Sequence, residues 1–130
     1  MAIELNHTIV ASRDRRAAAQ FVADVLGRPA PVPFGPFAVV ELDNGVSLDF
    51  ADFMDEVVEQ HYAFLITEGE FDAAMARIRE GSVRYYATPR RERPGEINHR
   101  YGGRGVYFDD PNGHLMEIIT QPYGDTPALG

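Results

Sequence analysis

With 130 residues, the chain is long enough to bury a core as one domain without disulfide staples. A hydrophobic fraction of 45% and a charged fraction of 25% are ordinary for a globular protein. The formal net charge of −8 argues against nucleic acid as a partner, and the lack of cysteine excludes disulfides, thiolate nucleophiles and thiolate metal sites. Any metal would be held by imidazole and carboxylate, a donor set suited to Fe(II), Mn, Ni or Zn. No apolar stretch reaches the roughly 20 residues needed to span a bilayer. Met1-Ala2-Ile3-Glu4 lacks the basic and apolar regions of a signal peptide, so a soluble cytoplasmic protein is expected.

The first predicted strand is Leu5–Ala11, rich in β-forming residues. Ser12 is the expected N-cap of a helix, with Asp14 in its first turn. Ala18, Phe21, Val22 and Val25 then fall on one helical face. Gly27 ends that helix, and prolines at 29, 31 and 33 prevent its continuation. Two strands follow, Phe37–Leu42 and Val46–Ala51, joined through Asp43-Asn44-Gly45, a strong hairpin signal. The first half thus reads β-α-β-β, with Pro33–Phe37 or residues 53–58 as a source of extra pairing.

Residues 53–60 form the seam, and the second half opens in the same way. His61–Thr67 is a strand, and Thr67 and Glu70 have capping-box spacing. Phe71, Ala74, Met75 and Ile78 make a second apolar helix face, closed by Gly81. Val83–Thr88 is a strand and Pro89–Gly103 a long loop. Strands Arg104–Asp109 and His114–Gln121 flank a turn on Asp110-Pro111-Asn112-Gly113, and Pro122–Gly130 is a Pro/Gly-rich tail. The expectation is a single domain over 1–130 made of two modules, about 1–52 and 60–123.

The two halves share little identity, yet their polar residues recur in place. Each first strand carries a histidine, His7 and His61, and each last strand an acid, Asp49 and Glu117. Alternation along a strand puts Ile9 and Ala11 on the face of His7, Ala63 and Leu65 on that of His61, and Leu115, Ile119 and Gln121 on that of Glu117. A charge among such neighbours costs several kcal/mol unless it is paired or coordinated. A divalent cation shared by two imidazoles and one or two carboxylates removes that cost. A lone strand histidine is more often a hydrogen-bonded structural residue, so the case rests on the coincidence of all four.

The segment Gly105-Val106-Tyr107-Phe108-Asp109-Asp110-Pro111-Asn112-Gly113-His114-Leu115-Met116-Glu117 and the opening Asn6-His7-Thr8-Ile9-Val10 resemble the vicinal oxygen chelate superfamily of glyoxalases, bleomycin resistance proteins and extradiol dioxygenases. The resemblance covers residues 3 to 123. It implies an α+β fold in which paired βαβββ modules form a half-open mixed β-barrel with the helices packed outside. It further implies one divalent metal, Fe(II), Ni, Zn or Mn, with His7, His61 and Glu117 as ligands and open positions for a substrate that chelates through neighbouring oxygens. Asp49 occupies the place of a further carboxylate in some members, as a base or a support to the ligands. Tyr107 falls where several members direct a tyrosine at the substrate. Family members of this length commonly form homodimers.

The arginine-rich loop Pro89–Gly103 is the expected substrate contact, through Arg90, Arg91, His99 and Tyr101, with Arg93, Arg100 and Arg104 nearby. A charge run of this kind is ordinarily a solvated surface. A small-molecule substrate is therefore the expected partner, with no role for membrane or nucleic acid. Glyoxalase-like proton transfer and dioxygenase-like ring cleavage are both compatible with the ligand set. The rival class is a bleomycin-resistance-type protein that sequesters an antibiotic, and the joint presence of His7, His61 and Glu117 speaks against it.

Overall fold

The structure, a computed structural model, describes residues 3–123. Of the tail, only Pro122 and Tyr123 lie within the described residues. The chain divides into two compact units, one of residues up to Glu59 together with Asp110–Asn112, the other of Gln60–Asp109 and residues from Gly113 on.

In the first unit, β1 (His7–Ala11) leads to α1 (Arg15–Leu26), then β2 (Val32–Phe34), β3 (Phe37–Glu41) and β4 (Ser47–Ala51). The sheet order is β1-β4-β3-β2, with β1 parallel to β4 and the other pairs antiparallel. The second unit repeats this order with β5 (His61–Leu65), α2 (Glu68–Glu80), β6 (Tyr85–Tyr86), β7 (Gly105–Asp109) and β8 (Leu115–Ile119), arranged β5-β8-β7-β6. Each unit is therefore a βαβββ module, an α+β arrangement with an open four-stranded mixed sheet. The registers also repeat. His7 lies opposite Ser47 and Ile9 opposite Asp49, just as His61 lies opposite Leu115 and Ala63 opposite Glu117.

Of the two expected sources of extra pairing in the first half, the structure uses the first, as β2. It is an edge strand centred on Pro33, where a residue without a backbone N–H is tolerated because only one side of the strand is paired. One correction concerns α1. Its N-cap is Asp14, whose Oδ1 accepts from the N–H groups of Arg16 and Ala17, both at 3.1 Å. Ser12 is instead buried and donates to the Ala51 carbonyl at 3.0 Å. Gly27 closes α1 in the left-handed region at φ +67, as expected. In α2, Thr67 and Glu70 form the complete capping box.

The core of the first unit is Val10, Val40, Leu48 and Phe50 under the α1 residues Ala18, Ala19, Val22, Ala23 and Val25. Full burial contributes about 1.5–3 kcal/mol for each large apolar side chain. In the second unit Phe71, Ala74, Met75 and Ile78 of α2 are buried, as are Val106, Phe108, Met116 and Ile118. Arg104 ties β7 to α2. Its guanidinium contacts Glu68 at 2.7 Å and Asp72 at 2.8 Å and lies 4.5 Å from the centre of the Phe71 ring.

The Asp110-Pro111-Asn112-Gly113 turn has a defined task. Asp110 accepts from the backbone and side-chain amides of buried Asn112, at 2.9 and 3.0 Å. The Asn112 side-chain carbonyl then accepts the Arg13 N–H at 2.9 Å, just ahead of α1. Asp52 works on the same segment by accepting the Arg15 N–H at 3.0 Å and its guanidinium at 3.1 Å.

The Arg15 backbone N–H, ahead of the guanidinium, holds the Asp52 carboxyl below its ordinary range. A depressed carboxyl pKa stabilises the fold above the unfolded value, and the benefit disappears as pH falls through the folded value. An Asp52→Asn variant should thus melt below wild type at neutral pH, with the two melting curves converging in acid. Gly103→Ala tests packing. A Cβ there would stand 2.5 Å from Thr120 Oγ1 and 2.6 Å from Gln121 Cγ, so the substitution should cost about 1–3 kcal/mol in urea unfolding.

Candidate active site

Parallel pairing of β5 with β8 brings together two residues 56 positions apart. His61 Nε2 lies 3.0 Å from Glu117 Oε1. The other ring nitrogen, Nδ1, is 2.9 Å from the Leu115 carbonyl. A carbonyl only accepts, so Nδ1 carries a proton, and in neutral imidazole Nε2 is left as a lone pair. A lone pair facing a carboxylate is repulsive unless a cation lies between them, either a proton on Nε2 or a metal ion. The 3.0 Å separation is also what two metal–ligand bonds of about 2.1 Å at a right angle would span. A histidine oriented by a backbone carbonyl is the usual support of a metal ligand. The donor pair therefore fits a divalent metal.

Glu117 is 2% exposed. The Tyr123 hydroxyl donates to its Oε1 at 3.2 Å, and Tyr107 lies directly opposite it in the β7–β8 register. The Tyr107 ring is buried, 6.0 Å from the His61 ring, and its hydroxyl accepts from Arg100 Nη1 at 3.2 Å. Burial, and after it the Glu117 carboxylate, push the Tyr107 phenol up to about 12.

The sequence-predicted residues fall into two groups. The second unit assembles His61, Glu117 and Tyr107. The first places His7 and Asp49 on one concavity of about 500 Å³, whose walls include Ile9, Val32, Phe34, Phe37 and Val39. There the His7 Nδ1 meets Asn6 Oδ1 at 2.7 Å, and the Ser47 hydroxyl donates to Asp49 at 2.8 Å. Among the described residues, no three His, Asp or Glu side chains gather closely enough to hold an ion. One expectation needs correction: the faces of β1 and β5 that carry the histidines are not buried. His7, Ile9, His61, Ala63 and Leu65 are exposed, and Val10 is the β1 residue turned into the core.

The arginine loop separates by partner. Arg91 is bound to Asp109 at 2.8 Å, Arg93 to Glu96 at 2.9 Å, and Arg104 to α2. Arg90 and His99 are exposed. Tyr101 packs against Tyr123 at 5.8 Å and, with Arg100, lines the same crevice as Glu117. Sequence reasoning did not single out Arg100 or Tyr123 as site residues. Arg100 was one of several arginines in a polar run, and Tyr123 stood in a tail with no periodic pattern.

A sequence profile of the Glyoxalase/Bleomycin resistance protein/Dioxygenase superfamily matches residues 4–118. The chain belongs to that superfamily. The solved structure of Oxidase ChaP-H1 is 58% identical, with a TM-score of 0.92 over 95% of this chain and 99% of that one. Oxidase ChaP-H2 is 55% identical, again with a TM-score of 0.92, over 95% and 98% of the two chains. Metallothiol transferase FosB of Shouchella clausii (strain KSM-K16) is 38% identical over 60 residues. That match spans 46% of this chain and only 37% of FosB. Among the described residues, no helix is long and apolar enough to cross a membrane.

A raised phenol pKa has a direction that can be measured. Between the ordinary tyrosine value near 10 and about 12, the unfolded chain releases a proton that folded Tyr107 keeps, so stability falls as pH rises through that window. In an alkaline absorbance titration, Tyr107→Phe should remove the phenol that ionises last. An unchanged late phase would show that another tyrosine is responsible.

Proposed function

We propose that the protein is a metal-dependent oxidase acting on a small substrate that presents two neighbouring oxygens. The observation that supports the metal is the His61–Glu117 pair, a ring nitrogen and a carboxylate oxygen 3.0 Å apart with the imidazole already oriented by Leu115. The oxidative assignment is supported by the likeness to Oxidase ChaP-H1, at 58% identity over nearly the whole chain.

In this proposal His61 Nε2 and the Glu117 carboxylate are ligands, and His7 is the third. When bound, the metal would supply Lewis-acid activation of the substrate oxygens and, as Fe(II), an entry for dioxygen. Each residue of the chain has a task that follows from its surroundings. The Leu115 carbonyl fixes the His61 tautomer and ring plane. The Tyr123 hydroxyl holds one oxygen of Glu117. Tyr107, opposite Glu117 in the β7–β8 register and held by Arg100, serves as a hydrogen-bonding group toward the substrate. Asp49, with its carboxylate turned by Ser47, is the proposed proton acceptor. A homodimer is part of the proposal, and light scattering on the eluted protein reads it directly.

Elemental analysis tests the central claim. The wild-type protein should hold one metal per chain after reconstitution with Fe(II), Ni, Zn or Mn in turn. His7→Ala, His61→Ala and Glu117→Ala should each lose stoichiometric metal, and the Fe(II) form should consume dioxygen with catechol-type substrates. A wild-type protein that takes up none of the four metals would overturn the enzyme assignment and favour sequestration of a small molecule.

A further inference from the structure

We propose that Arg100, seated against Tyr107, is the subsite that receives a negatively charged oxygen of the substrate. This rests on the assignment of Glu117 and its neighbours as the substrate site. Five arginines lie in or beside the long loop of this acidic chain, and three of them, Arg91, Arg93 and Arg104, are neutralised by carboxylates. Among the described residues Arg100 has no such partner. Among the described residues its guanidinium donates to the Tyr107 hydroxyl at 3.2 Å, with the guanidinium carbon 5.9 Å from the centre of that ring. A guanidinium has five N–H donors in a planar fork, matched to carboxylate or phenolate oxygens. Most of that capacity remains for a ligand.

Its position is built. Asn98 exchanges backbone hydrogen bonds with Gly105 at 2.8 and 2.9 Å, and its side chain donates to the Ala87 carbonyl at 2.9 Å and accepts the Arg100 N–H at 3.3 Å. Gly105 leaves the Asn98 side chain room that a Cβ would fill at 2.9 Å. Directly after Arg100, Tyr101 adopts the left-handed region at φ +57, a conformation on the order of 1 kcal/mol or more above the usual ones for a bulky residue. That turn sets the Tyr101 ring against Tyr123, which itself holds Glu117. The loop thus fixes a cation two steps from the proposed ligand carboxylate, through Tyr107. Arg90, exposed and likewise without a carboxylate partner among the described residues, has no such support.

The test compares Arg100→Gln and Arg100→Lys with wild type, using 4-nitrocatechol, which is largely ionised at neutral pH, and 4-methylcatechol, which is not. Binding is read by visible difference spectra or calorimetry on metal-loaded protein, and metal content and melting temperature are measured in parallel. Arg100→Gln should weaken 4-nitrocatechol by about tenfold or more and 4-methylcatechol far less, with metal content unchanged and partial recovery in Arg100→Lys. Equal weakening of both probes, no weakening, or loss of metal together with affinity would each overturn the subsite. If wild type takes up no metal, the metal assignment fails by itself, and the same comparison on metal-free protein still decides the role of Arg100. Absence of 4-nitrocatechol binding to that protein would count against it.

Discussion

The constraint on which each module depends is the parallel pairing of its first strand with its last. Parallel neighbours cannot be joined by a tight turn, so a helix and an antiparallel excursion must be laid down before the last strand can dock. In the second unit that return places Glu117 two residues past the partner of His61, and the imidazole reaches across the strand pair to the carboxylate. The register is the same in the first unit, where Asp49 stands in the position of Glu117. The chemistry differs because the surroundings differ. Asp49 is half-buried beside a serine, whereas Glu117 is buried under two tyrosines.

A buried carboxylate is stable only if its charge is answered. Around Glu117 the answer is assembled from three stretches of sequence: His61 from β5, Tyr107 from β7 and Tyr123 from the segment after β8. Arg100 adds a fourth through Tyr107. The loop that presents it carries three non-glycine residues at positive φ, Arg91, Arg93 and Tyr101. Such residues persist when neighbouring contacts over-determine them, and here Asp109, Glu96 and Tyr123 supply those contacts. The arginine run is therefore largely a scaffold, with one member held at the site.

Most of the fold was legible in the sequence. The helix faces, the Gly27 cap, the capping box at Thr67 and the hairpin at Asn44-Gly45 are local signals, and local signals survive into the structure. What failed depended on context. Pro33–Phe37 and residues 53–58 stood as alternatives for the extra strand, because a sequence does not say which segment will lie at a sheet edge. Ser12 and Asp14 are both good caps, and the choice was made by an Ala51 carbonyl that only the folded chain brings near. The alternation of β1 and β5 was right, but which face would be covered was not written in it. Within the site, the repeated histidines and acids stood out as a pattern, whereas Arg100 and Tyr123 gain their meaning only from what they touch.

The Asp110–Asn112 turn gives the chain an order of operations. These three residues count with the first unit although they are spelled in the middle of the second. The backbone amide ahead of α1 therefore receives its acceptor only after most of the second unit has been made. A ribosome that has finished the first sixty residues has not yet supplied all the parts of the first unit. The two modules look like a duplication that could be cut at the seam, but the turn works as a stitch sewn back through the earlier cloth. Their resemblance does not make them separable pieces.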